Sequence, residues 1–302
     1  MAVKHSNMKQ LLVIFVFITT VEACNNPSDS VYQNSILLWQ KERLANLIKE
    51  DGWATLAGLF SLRDGIQYFG SSQALTIHFP DFAPDTIGTF TVNSDSVWME
   101  TQPSVQVMTN GAAQSRVLLT PATDLQICTW QRLQWFVIQR GTRFLIRLRD
   151  TQHPARQQLT EIPYYPIDKK WDLSATFHHH DTPTHLQLPN ALGMMIDYES
   201  PGYLTFSYEG KDYQMLALQE EDELFLLFYD ETSGTETYGG GRYMYVDKPA
   251  PGEMTELDFN KAYSPPCAFT EFATCLLPPP ENRFPFAITA GEKDPHFLEH
   301  QQ

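Results

Sequence analysis

Apolar residues first recur at near-helical spacing over residues 31–50, where Ile36, Leu37, Leu44, Leu47 and Ile48 alternate with Lys41, Glu42, Arg43 and Lys49. This pattern predicts one helix, and Gly52 suits its C-terminal stop. A second helical turn is expected over 56–62, although Gly58 and Gly65 weaken it. Beyond Gly70 the pattern changes to short runs of β-branched and aromatic residues separated by turn residues. Strands are expected at 75–79, 88–92, 96–100, 116–119, 134–139, 143–149, 173–177, 184–188, 203–208, 214–219, 224–229 and 242–246. Hairpin signals fall at Asn93–Ser94, Gly141–Thr142 and 209–212. The fold class that follows is mainly β, with antiparallel meanders forming a sandwich or barrel-like domain behind one N-terminal helix.

The end of the chain breaks this pattern. Eight prolines lie between Pro249 and Pro285, and Pro lacks the backbone donor that helices and central strands need. The stretch 258–293 nevertheless carries Phe259, Tyr263, Phe269, Phe272, Phe284 and Phe286, too much aromatic surface for a solvated linker. It is expected to wrap irregularly over the domain. The Gln- and Pro-rich segment 151–172 separates two strand-rich halves and reads as a long loop within one domain spanning 31–293, or as the point of a subdivision. Residues 294–302 are expected to form a disordered tail.

The first 23 residues read as an export signal: Lys4 and Lys9, an apolar run over 11–20, then Val21-Glu22-Ala23-Cys24, which resembles a lipobox. On this reading Cys24 carries lipid, residues 24–30 are a tether, and the membrane is a partner through that anchor. By resemblance to bacterial lipoproteins, Asn25 after Cys24 favours the outer membrane, facing the periplasm. The formal net charge of −15 argues against nucleic acid as a partner. In an oxidising compartment, Cys267 and Cys275, with seven residues between them, are candidates for a disulfide; the alternative is a nucleophilic or ligating Cys267. Cys128 is then odd and expected to be buried.

Three segments could carry chemistry. In 143–150 a period of two puts Phe144, Ile146 and Leu148 on one face and Arg143, Leu145, Arg147 and Arg149 on the other. Such clustered charges need carboxylates or a bound anion opposite them. The loop 230–242 combines hydroxyls, carboxylates and four glycines, three of them directly before Arg242, which suits either a flexible hairpin or an anion nest. The block 258–293 holds Asp258, Asn260, Tyr263, Cys267, Glu281, Asn282, Arg283, Glu292 and Lys293 among aromatics, as a pocket wall or as pins for irregular backbone. His178, His180 and His185 suggest a metal only weakly, because neighbouring strand residues face opposite sides; no metal and no cofactor are expected.

The 258–293 block, DFNKAYSPPCAFTEFATCLLPPPENRFPFAITAGEK, resembles the C-terminal signature of an uncharacterised bacterial family, domain of unknown function 1684. DGWATLAGLFSLRDGIQYFG at 51–70, IRLRD at 146–150 and DETSGTETYGGGRY at 230–243 are similar to the same family. Ser264 departs from the pattern, as does the stretch 156–168. The resemblance implies no reaction. The expectation is a monomer that binds a small polar or anionic ligand in a cleft. The cleft would be formed by the 230–242 loop, the face that carries Arg147 and Arg149, and the wrap; Arg149 and Arg242 would neutralise the ligand, Tyr238 and Tyr263 would wall it, and Asp230 and Asn260 would orient it. The alternatives are a metal-independent hydrolase or transferase using Cys267 or Ser233 with Asp230 or Glu236, and an envelope scaffold without a small-molecule site.

Overall fold

A computed structural model describes residues 27–121, 125–250 and 252–296. Cys24 and the expected export signal lie outside the described residues. The fold is mainly β, with antiparallel sheets, one N-terminal helix and a nearly closed barrel-like sheet. In the first half, one sheet runs in the order Leu56–Ser61, Arg143–Asp150, Leu133–Arg140, Cys128–Trp130, Met108–Thr109 and Ala112–Ala113. A second runs Ile77–His78, Gly65–Gly70, Gly88–Asn93, Ser96–Thr101 and Arg116–Leu119. The second half forms a meander in the order Arg242–Asp247, Glu223–Phe228, Lys211–Glu220, Met195–Tyr208, Asp172–Pro189 and Met254–Asp258.

Alternation along these strands feeds two main cores. In the first, Phe69 stacks on Phe90 at 4.2 Å, and Trp135 meets Phe69 and Phe79 edge-on. In the second, Phe206, Phe228, Phe259 and Phe284 contact one another, so the wrap supplies two of these four rings. Each such buried ring contributes about 1.5–3 kcal/mol. The wrap therefore belongs to the core that it covers.

The helix spans Pro27–Ile48, starting earlier than the apolar spacing suggests, so residues 27–30 of the expected tether form its first turn. Pro suits that position because its missing N–H would go unsatisfied there anyway. Ile36 and Leu47 are buried while Val31, Leu37 and Leu38 are exposed, so only a narrow apolar stripe holds the helix. Polar contacts complete the docking. The Tyr32 hydroxyl donates to the Asp258 carboxylate at 3.0 Å, and Arg43 Nε donates to Glu292 Oε1 at 3.0 Å. Among the described residues no helix is long and apolar enough to cross a membrane.

Two local expectations are corrected. The stretch 56–62 is not a helical turn: Leu56–Ser61 is a strand paired antiparallel with Arg143–Asp150, a long-range partner that outweighs local spacing. The strands expected at 173–177 and 184–188 are one element, Asp172–Pro189, whose register shifts between His179 and Thr184. Within the expected tail, the Asp294 N–H donates to Glu236 O at 3.0 Å, and residues 297–302 lie outside the described residues.

Candidate functional site

The strand Arg143–Asp150 behaves as its period of two requires. Phe144, Ile146 and Leu148 enter the first core, while Leu145 joins Phe136 and Ile138 in a smaller cluster on the opposite face. Arg147 lies on that second face, in register with Leu59 and Phe136. The residue is 6% exposed, and its Nε and Nη2 have no hydrogen-bond partner. No carboxylate pairs with Arg147 or Arg149 among the described residues, so the acidic half of an ion-paired face is missing there. Arg147 instead rests over the Trp53 ring at 5.1 Å, and Arg149 over Phe136 at 5.0 Å. Burial, and then Arg140 and Arg149, pull the Arg147 guanidinium down to about 10, with Cys275 and Cys267 opposing. Burial also lowers Arg149, against the charge of Asp51.

Beside this face the helix, the second-half meander and the wrap enclose a cavity of about 340 Å³. Arg43 reaches it from the helix, Trp53 from the turn that follows, and Arg140 from the end of its strand. Tyr198, Tyr243 and Tyr245 come from the meander, and Tyr263, Thr274 and Cys275 from the wrap. Arg43 is already engaged: besides Glu292 it donates to Ser264 O at 2.8 Å and stacks on Tyr263 at 4.5 Å. Among the described residues Arg140 meets only neutral oxygens, donating to Thr274 Oγ1 at 2.9 Å and to Gln139 O at 2.8 Å. The lining thus pairs aromatic walls with a guanidinium that lacks a counter-ion.

Cys267 and Cys275 are free thiols that hold one another. The Cys267 N–H donates to Cys275 Sγ at 3.0 Å, and the Cys275 N–H donates to Cys267 Sγ at 3.4 Å. Cys267 also lines a neighbouring cavity of about 420 Å³ with His153, Phe269 and Glu271. Cys128 is buried against Thr109, and burial pushes its thiol up to about 11.

Of the residues singled out in the sequence, Tyr263 lines the aromatic cavity of about 340 Å³, and Arg147 and Tyr238 lie within electrostatic reach of the cysteine pair. Burial raises the Tyr238 hydroxyl to about 12, with Cys267 and Cys275 adding to the effect. Arg242 and Asp230 are elsewhere, fully buried and closed on one another at 2.6 Å. The Arg242 guanidinium also donates to the Ile288 carbonyl at 2.8 Å and to the Ala290 carbonyl. Asp230 further accepts from the Thr232 N–H at 2.6 Å. Asn260 is a pin: its side chain donates to Tyr32 Oη at 2.9 Å and Asp168 O at 3.0 Å. Asn282 ties the wrap to Leu216 and Leu227 in the same way. Ser233 Oγ accepts from the Asp230 N–H at 3.1 Å, and Glu236 pairs with Lys293 at 3.7 Å.

Sequence reasoning missed Arg43, Arg140, Tyr198, Tyr243 and Tyr245. The last two could have been paired, since a period of two puts them on one face of a strand. His178 bonds Thr205 Oγ1 at 2.8 Å and stacks on Tyr203. A different acidic group, Asp172, Glu256 and Asp258, brings ligand atoms within 4.8 Å of one another. Asp258 is committed to Tyr32 and Asn260, and Lys261 sits on Glu256 at 2.9 Å.

The family model described as "Protein of unknown function (DUF1684)" matches residues 157–293, which contain the meander and the wrap. An uncharacterised protein of Haloarcula marismortui, solved in solution, is 32% identical over 46% of this chain and 80% of its own, with a TM-score of 0.40. A Rad53 fragment in complex with AMP-PNP aligns at 9% identity over 72% of this chain and 50% of its own, with a TM-score of 0.16. No curated protein matches the chain.

Proposed function

The chain belongs to this DUF1684 family of unknown function, and on that footing we propose that it binds a small anion in the cavity of about 340 Å³ between helix, arginine-bearing strand and wrap. The observation that carries the reading is the gathering of Arg140 and the buried Arg147 beside one cavity, neither with a carboxylate partner among the described residues, in a chain of net charge −15. A buried charge is costly unless it is paired, and a bound anion supplies the missing pair. Arg140 is the direct donor, through a guanidinium fork suited to carboxylate or phosphate. Arg147 adds its field from behind Trp53, where low dielectric strengthens it. Tyr198, Tyr245 and Tyr263 give apolar walls with polar tips, which suit an organic anion with a small carbon frame.

Calorimetric titration of the purified protein with inorganic phosphate, acetate, succinate and benzoate tests this reading. At least one is expected to bind. Arg140→Ala is expected to weaken it about 10- to 100-fold, the worth of a charge-assisted hydrogen bond. If none binds, or if Arg140→Ala binds equally well, the cavity is not an anion site.

A lipid anchor at Cys24 and an outer-membrane address facing the periplasm belong to the same proposal, supported by the order of charge, apolar run and cysteine over residues 1–24. Metabolic labelling with a fatty-acid analogue is expected to mark the wild-type protein and to leave Cys24→Ser unlabelled and released from membranes. Equal labelling of both would remove the anchor.

A further inference from the structure

Cys267 and Cys275 stand where two cavities meet. Cys275 borders the proposed anion cavity, and Cys267 borders its neighbour of about 420 Å³. Each residue's backbone N–H donates to the other's sulfur, which brings the two sulfur-bearing side chains together across a short loop. Arg147 lies within electrostatic reach of both sulfurs, and among the described residues no carboxylate pairs with it. A thiolate at this pair is therefore a counter-ion that the protein itself can supply to Arg147.

We propose that Cys267 and Cys275 form a redox-active dithiol, and that closing it to a disulfide strengthens anion binding in the adjoining cavity. This rests on the anion reading of that cavity. Whenever Cys267 loses its proton, the negative charge placed there offsets Arg147 and repels an incoming anion. Its thiol is held below the usual range by the hydrogen bond from Cys275, with the Cys275 N–H and Arg147 acting the same way against burial. Cys275 is driven in the opposite direction, first by that same bond. A disulfide carries no charge. Its formation leaves the field of Arg147 uncompensated on the anion's side.

The oxidant is a small disulfide entering through the neighbouring cavity. The Cys267 thiolate attacks one of its sulfurs, breaking the S–S bond and releasing one thiolate, which takes up a proton. The Cys275 thiol then loses its proton and attacks Cys267 Sγ in the mixed disulfide, expelling the second small thiolate, which is protonated in turn. Two protein thiols are oxidised by two electrons, and one small disulfide is reduced to two thiols. By linkage, a bound anion makes the protein disulfide harder to reduce by the factor through which oxidation tightens the anion.

The test titrates the protein with inorganic phosphate and with succinate after equilibration with excess dithiothreitol or with oxidised glutathione, the thiol state being read by mass spectrometry. Oxidised protein is expected to bind about fivefold more tightly or better, within the usual range of coupling between sites. Cys267→Ser, kept reduced, is expected to bind as tightly as oxidised wild type, because a serine hydroxyl does not ionise there. Cys128→Ser is expected to leave the redox difference unchanged. Equal affinity in the two states, or glutathione failing to close the pair, overturns the redox proposal and leaves the cavity reading standing. Binding in neither state overturns both.

Discussion

Replacing Arg242 by Met is expected to lower stability by about 3–5 kcal/mol, the usual cost of removing one partner of a buried ion pair. Arg242 is fully buried, and its guanidinium meets Asp230 together with the carbonyls of Ile288 and Ala290. It thus fastens the end of the wrap to the strand Arg242–Asp247 and to the loop that begins at Asp230. Met fills much of the volume but donates nothing. Asp230 would remain as an uncompensated buried charge, and two carbonyls would lose their donor. Urea unfolding followed by tryptophan fluorescence reads the loss directly, with the slope unchanged if only stability has moved. The double variant Asp230→Asn with Arg242→Met is expected to recover part of it, since the stranded carboxylate is then gone. A loss below about 1 kcal/mol would show that the pair does not pin the wrap.

Arg147→Met is expected to do the reverse, raising stability by about 1–2 kcal/mol while weakening the anion. Both arginines are buried, yet one is paired and the other is not. For Arg147 the substitution removes a desolvated charge with two unsatisfied nitrogens, each a cost of about 1–3 kcal/mol. It forfeits the contact with Trp53, worth about 0.5–2 kcal/mol. Met is flexible enough to fill the space beside Leu59 and Phe136. The measurement is the same urea midpoint, joined to phosphate and succinate titration. Higher stability with intact anion affinity would make Arg147 a frustrated bystander. Lower stability with intact affinity would make it a structural residue. Only gain of one with loss of the other fits a charge kept unpaired for a ligand, a trade often seen where a site works against the fold.

The contrast between these arginines shows where local reading stops. Both were visible as polar residues in unusual company: Arg147 through the alternation of 143–149, Arg242 through its glycine-rich approach. Periodicity correctly placed Phe144, Ile146 and Leu148 on the core face, because alternation is a property of the strand alone. It could not show that Asp230 closes on Arg242, whereas no carboxylate reaches Arg147. The expected cleft joined the three arginines Arg147, Arg149 and Arg242. The structure separates Arg242 from the others and brings Arg43, Arg140 and Tyr198 in from segments that nothing in their spacing connects. The strand Leu56–Ser61 was misread for a related reason: what makes it a strand is Arg143–Asp150, far along the chain. Its local sequence, with Gly58 between leucines, states no preference strong enough to reveal that partner.

By itself the sequence determined the dominance of antiparallel strands, the N-terminal helix, the irregular aromatic wrap and the family resemblance over its end. Each depends on composition, short-range periodicity or a contiguous motif, and all of these are written along the chain. Tertiary structure alone decided which charges are neutralised, which tyrosines share a wall, and that the Cys267 and Cys275 pair borders the aromatic cavity. Electrostatic compensation falls off with distance and depends on burial, and both are set only when segments remote in sequence pack together.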